Sequence, residues 1–186
     1  MPDIIKSDII KGILNCLGCG IGDHFNINNL RYNRLIILAD ADADGGHITI
    51  LLATLFLYHL PELIKQGKVY AAKPPLYKTK TLSGEIKYWY EDNAEYRKYV
   101  RNHKHLDIER FKGLGSMNPE ELYTTTMNPA NRHLTRLTTA DFQKTIDLYN
   151  ELMGKRPELR RNFILEHKLS KFVADDVFDE DDGDVE

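Results

Sequence analysis

Three aspartates at alternating positions, Asp40, Asp42 and Asp44, close the apolar run Leu35-Ile36-Ile37-Leu38-Ala39 and lead directly into Gly45, Gly46 and His47. Carboxylates at the end of a buried strand are costly to desolvate unless a cation meets them. The carboxyl ends of strands are also where open α/β sheets place their ligands. In extended backbone alternate side chains share a face, so the triplet predicts an oxygen-only site for a hard cation such as magnesium. A second candidate is the basic, glycine-punctuated stretch Arg110-Phe111-Lys112-Gly113-Leu114-Gly115. Its cations would position a phosphate backbone and its glycines would permit close approach.

Four chemistries compete for the triplet. A calcium EF-hand begins D-x-D-x-D-G, as Asp40 to Gly45 does, but needs a glutamate at its twelfth position, where this chain has Leu51. An aspartyl phosphatase would use Asp42-Ala43-Asp44, yet no acidic pair follows a second strand downstream. A merely solvated acidic turn fits poorly between an apolar strand, a glycine pair and an apolar helix. The fourth is metal-assisted phosphoryl transfer on nucleic acid, in which metals polarise a phosphodiester and stabilise the attacking and leaving oxygens. Cys16 and Cys19 form a lone C-x-x-C with neither a second pair for zinc nor a preceding strand for redox chemistry, and read as structural or incidental.

These groups need elements to hold them. The pattern predicts a helix over 4–15, a glycine-rich loop at Gly18, Gly20 and Gly22, and a strand over 35–39. An apolar helix from His47 to about Tyr58 reads as a buried crossover. A short helix from Pro61 to Gln66, closed by Gly67, leads to a strand over 69–72, giving a parallel strand–helix–strand unit. Residues 76–80 and 86–90 predict a hairpin around Ser83-Gly84, and 93–104 a polar helix. Asn118, Pro119 and Glu121 spell a capped helix start. A helix from Thr139 carries Phe142, Ile146, Tyr149 and Met153 on one stripe and ends at Gly154, and a last helix runs from Pro157 to Phe172.

Composition bounds the rest. The 186 residues carry a net charge of −3, but residues 173–186 hold eight acids and no base, leaving the other 172 residues at +5. A mildly basic body is compatible with nucleic acid, and the acidic end reads as a disordered tail. No run of about 18 apolar residues exists, so no membrane span is predicted, and the charged N-terminus does not read as a secretory signal. Two cysteines indicate no disulfide framework and fit a reducing compartment.

The segment Asp40 to Gly45, with His47 and Ile48, resembles the D-x-D-x-D-G-x-H-I motif of the Toprim domain in bacterial type IIA topoisomerase B subunits, those of gyrase and topoisomerase IV. Leu17-Gly18-Cys19-Gly20-Ile21-Gly22, Leu30-Arg31-Tyr32, Gly67-Lys68-Val69-Tyr70, Pro74-Pro75-Leu76-Tyr77-Lys78, Arg110 to Gly115 and Met117-Asn118-Pro119 are similar to that family in the same order. The likeness spans nearly all of residues 12–169.

The resemblance implies an α/β fold: a Toprim domain over 1–112, with a Rossmann-like parallel sheet and flanking helices, a mainly helical region over 113–172, and the tail. It implies that Asp40, Asp42 and Asp44 bind magnesium and that His47, Arg110, Lys112, Gly113 and Gly115 face DNA. The nucleophilic tyrosine would belong to an A-type partner in an A2B2 assembly with double-stranded DNA, and ATP to a preceding domain. The setting would be cytoplasmic, on the nucleoid, and no catalytic residue would lie in this chain. A glutamate in an E-G-D-S-A motif completes the family's metal site, and that motif does not occur in residues 1–186. Gly46, Thr49, Ile50 and Ser116 stand where serine, arginine, threonine and glutamate are usual; losing that arginine could weaken or shift a phosphate contact. An assembly module that docks the A-type subunit without supporting cleavage is the alternative, with a magnesium phosphatase behind it.

Overall fold

The computed structural model describes residues 6–139 and 141–167. The chain is mixed α/β and divides into two compact units, residues 1–138 and 139–186.

In the first unit Ser7 caps α1 (Asp8–Leu17) and Gly18 closes it in the left-handed region at φ 74°. After two short 3₁₀ turns comes β1 (Leu35–Ile37), then α2 (Ala43–His59), α3 (Pro61–Lys65) and β2 (Val69–Lys73). β1 and β2 pair in parallel, Leu35 opposite Val69 and Ile37 opposite Ala71, so the predicted crossover unit forms. A strand–helix–strand path of this length is what parallel pairing requires.

The third strand of this sheet comes from far along the chain. β6 (His133–Arg136) runs antiparallel to β2, Tyr70 opposite Arg136 and Lys73 opposite His133, so the order is β1-β2-β6. The sheet is thus mixed, not wholly parallel, and β6 is a strand that the sequence pattern does not predict. Residues 113–138 fall in the first compact unit, where β6 pairs with β2.

Buried Pro74 and Pro75 end β2, since proline cannot donate to a ladder. A second sheet follows, ordered β4-β3-β5: β3 (Tyr77–Lys80), β4 (Ile86–Trp89) and β5 (Asp107–Arg110), all antiparallel. The predicted hairpin is therefore present, turning at Gly84 with φ 88°. α4 (Ala94–Asn102), capped by Asn93, packs Tyr96 on Tyr77 and Trp89, with ring centroids 4.7 and 5.4 Å apart. α5 (Pro119–Leu122) continues into a π turn over Tyr123–Met127, in which buried Thr125 donates to the Glu121 carbonyl at 2.7 Å.

The core holds Leu55, Phe56, Leu57, Leu60, Leu63, Ile64 and Val69. Burying each of the larger side chains contributes about 1.5–3 kcal/mol. α2 departs from the fully buried helix expected. Its buried large side chains, Leu55, Phe56 and Leu57, lie in the carboxyl half, whereas Ile48, Ile50 and Leu51 near its start are about half exposed (51%, 46% and 47%).

In the second unit, Asp141 caps α6 (Phe142–Met153) and Gly154 ends it. Phe142, Ile146, Tyr149 and Met153 are half-buried, as their stripe predicts. α6 packs against α7 (Pro157–Glu166). The rest of the predicted last helix, and the acidic tail at 173–186, lie outside the described residues.

Candidate functional site

Asp40 lies in the loop between β1 and α2, and its carboxylate is not free. Oδ1 accepts the Leu114 N–H at 2.7 Å, so the acidic loop and the Lys112-Gly113-Leu114-Gly115 stretch meet in one place. Gly113 makes the approach possible: a Cβ there would lie 2.9 Å from the Asp40 carboxylate. At φ −176° its backbone would suit any residue, so the glycine is required by space alone.

Asp42 is the N-cap of α2, with extended backbone and Oδ1 accepting the Gly45 N–H at 2.7 Å. Asp44 falls in the helix's first turn and is exposed. The alternation expected of all three aspartates therefore stops at Asp42. The helix begins at Ala43, four residues before His47, because Asp42 satisfies one of the amides a helix start leaves open. Gly45 has its own steric reason, since a Cβ there would lie 2.1 Å from the Asp40 carbonyl oxygen. Gly46 faces open space.

Among the described residues no group of three or more His, Cys, Asp or Glu side chains assembles that could hold a metal ion by itself. The donors suit a hard cation: Asp40 and Asp42 each commit Oδ1 to a backbone amide and retain Oδ2, and Asp44 is exposed. Their oxygen chemistry is the kind magnesium takes, but the three carboxylates do not by themselves form a ligand set for it. His47, Arg110, Lys112 and Gly115 are exposed and Gly113 half-buried, with Arg110 ending β5 rather than lying in a loop as expected.

Two departures acquire local roles. Thr49 Oγ1 donates to the Gly45 carbonyl at 2.9 Å, binding the side chain to its own helix. Ser116 Oγ donates to the Gly113 carbonyl at 2.6 Å and tightens the turn that presents Leu114.

The loop's two ends are held by an ion-pair network centred on Lys78, a residue to which the sequence pattern assigns no role of its own. Lys78 on β3 reaches Glu109 at 2.7 Å and Glu121 at 2.6 Å. Glu121 also accepts the Asn118 N–H at 3.1 Å while Asn118 Oδ1 accepts the Glu121 N–H at 2.8 Å, the predicted capping box. Hydrogen bonds to Glu109 and Glu121 raise the Lys78 pKa well above its usual 10.5. Burial alone would raise Glu121, but Lys78 and the Asn118 amide outweigh it and hold that carboxyl below its usual range. The only signal for this network was the capping box, which gives no hint of Lys78. Cys16 is exposed and Cys19 buried, both free, and burial pushes the Cys19 thiol up. No helix among the described residues is long and apolar enough to cross a membrane.

The segment that presents Leu114 to Asp40 has recognisable relatives: residues 103–165 match the family described as the DNA gyrase B subunit, carboxyl terminus. The likeness extends well beyond it. The chain is 46% identical over 168 residues to the DNA gyrase B subunit of Thermotoga maritima, covering 89% of this chain and 26% of that protein. It is 42% identical over 167 residues to the DNA gyrase B subunit of Archaeoglobus fulgidus (90% and 26%) and 44% identical over 174 residues to that of Spiroplasma citri (91% and 27%). The chain spans about a quarter of the length of these curated relatives.

Proposed function

We propose that this chain is the magnesium-binding part of a type IIA DNA topoisomerase B subunit that serves DNA cleavage and religation with an A-type subunit. The observation that carries the reading is the contact of Asp40 with Leu114, which brings an acidic loop and a basic, glycine-containing loop to one point. Asp40, Asp42 and Asp44 would hold the ion. Bound magnesium would supply electrostatic stabilisation of the phosphodiester oxygens. Arg110, Lys112 and His47 would contact the DNA backbone, with Gly113 and Gly115 leaving room for it.

On this reading residues 1–112 belong to a Toprim-type domain, and the glutamate that completes the metal site lies outside this chain. The attacking tyrosine belongs to the A-type subunit, and ATP hydrolysis to another domain of the B subunit. Two copies of each subunit would act on double-stranded DNA in the cytoplasm. The relatives named above are gyrase B subunits, which favours gyrase over topoisomerase IV.

The assembly-module reading draws on the incomplete ligand set. Reconstitution with the A-type subunit and the remaining segments of the B-type protein separates the two, through magnesium-dependent cleavage of supercoiled DNA. Asp40→Ala and Asp42→Ala are expected to abolish cleavage while docking of the A-type subunit persists. Undiminished cleavage in both variants would sink the metal-site reading, and phosphate release from small esters by the chain alone would favour a phosphatase.

A further inference from the structure

We propose that Lys78 is a positioning residue for Asp40, its ammonium clamping the entrance and exit of the loop that holds the Asp40 carboxylate; a role in catalysis rests on the metal-site reading above. The loop over residues 111–118 leaves β5 just after Glu109 and re-enters regular structure at α5, whose third residue is Glu121. Lys78 bonds to both carboxylates, at 2.7 and 2.6 Å. It stands opposite Glu109 in the β3–β5 ladder, so the entrance is held by strand register as well. At the exit the ammonium acts through Glu121 on Asn118, whose N–H the same carboxylate accepts.

Inside the loop the anchors are backbone and apolar. The Phe111 N–H donates to the Leu76 carbonyl at 2.9 Å, and Phe111 and Met117 are buried. Midway between these anchors Leu114 presents its N–H to Asp40. Removing the ammonium leaves two carboxylates facing each other across the loop's ends with no cation between them, and like charges at close range repel. The strain falls on the loop whose Leu114 N–H meets Asp40. Lys78 touches neither Asp40 nor Leu114; it sets where the amide sits.

Amide hydrogen exchange and carboxyl NMR on the full chain test this, with Lys78→Met, Lys78→Arg and the triple variant Lys78→Met/Glu109→Gln/Glu121→Gln. The reference amide is Leu35, which donates to the Lys68 carbonyl at 2.7 Å in the first sheet. Lys78→Met is expected to speed exchange at Leu114 by about tenfold or more while Leu35 is unchanged, a local opening rather than global unfolding. Lys78→Arg keeps both ion pairs and is expected to hold wild-type protection, and the triple variant, which removes the repulsion, to regain most of it.

A magnesium titration followed at the Asp40 and Asp42 carboxyls should show weaker binding in Lys78→Met and recovery in the triple variant. Unchanged Leu114 exchange in Lys78→Met overturns the proposal, as does a loss shared equally with Leu35 or one that the triple variant fails to reverse. If Leu114 responds as stated but wild-type Asp40 ignores magnesium, the clamp stands and the metal reading falls. If Asp40 binds magnesium and Leu114 ignores Lys78, the clamp falls alone.

Discussion

Asp40 and Leu114 are 74 positions apart and joined by a 2.7 Å hydrogen bond from the Leu114 amide to the Asp40 carboxylate. Charge-assisted bonds of this kind are stronger than neutral ones, and this one makes two separate sequence motifs a single structural object.

Gly113→Ala is expected to break that object. A Cβ at 2.9 Å from the carboxylate displaces the exposed Asp40 side chain, so the expected cost is that of the lost Leu114 hydrogen bond, about 0.5–1.5 kcal/mol. Gly115 has nothing within 4 Å of its Cβ position, so Gly115→Ala is the matched control and should leave stability within about 0.5 kcal/mol. Denaturant unfolding of the two variants, with Leu114 exchange alongside, checks the contrast.

A second pair of glycines makes the same contrast at the start of α2. Gly45→Ala places a methyl 2.1 Å from the Asp40 carbonyl oxygen and is expected to destabilise the chain by at least about 1–3 kcal/mol. Gly46→Ala meets open space within a helix and should stabilise by up to about 1 kcal/mol. Equal unfolding midpoints for the two variants would contradict the packing described around Asp40.

Asp42 has a structural task and a proposed chemical one, and two substitutions separate them. Asparagine caps helices as well as aspartate does, so Asp42→Asn should retain stability, whereas Asp42→Ala should cost about 1 kcal/mol. Magnesium-induced carboxyl shifts at Asp40 should weaken in both, because both remove the charge. Circular dichroism melts and a magnesium titration give the two readouts.

The Lys78–Glu121 pair sets a pH dependence. The Glu121 pKa is depressed, so its contribution to stability is complete above its usual 4.5 and is lost as pH falls through the lower folded value. The Lys78 pKa is raised, so its contribution is complete below its usual 10.5 and is lost only as pH rises through the folded value above it. The stability difference between wild type and Glu121→Gln should therefore be flat from about pH 5 to about pH 9 and shrink in acid, as urea unfolding across that range would reveal.

Much of this arrangement was legible in the residues, and the failures have physical causes. The parallel unit of β1 and β2 followed from two apolar runs around an apolar helix, and the capping box of Asn118 and Glu121 is local chemistry that survives any tertiary context. Asp44 was misplaced because acids at alternate positions satisfy a strand period and a helix start equally well until the Asp42–Gly45 bond is known. β5 and β6 escaped notice because their residues are largely exposed and polar, Asp-Ile-Glu-Arg and His-Leu-Thr-Arg, without the alternation that betrays a half-buried strand. The partners of Asp40 and Lys78 lie on elements whose proximity only the fold creates.

The pairing of Tyr70 with Arg136 also governs the order in which the molecule can be made. The whole second sheet, Tyr77 to Arg110, lies inside the connection between β2 and β6. Since nascent chains emerge amino-terminus first, one edge of β2 stays unpaired until the second sheet and the loop that meets Asp40 have been synthesised. A ribosome stalled, or a chain cut, just before His133 would leave that edge open to other strands. β6 thus acts as a late latch, and polypeptides that end short of it should be the ones that aggregate.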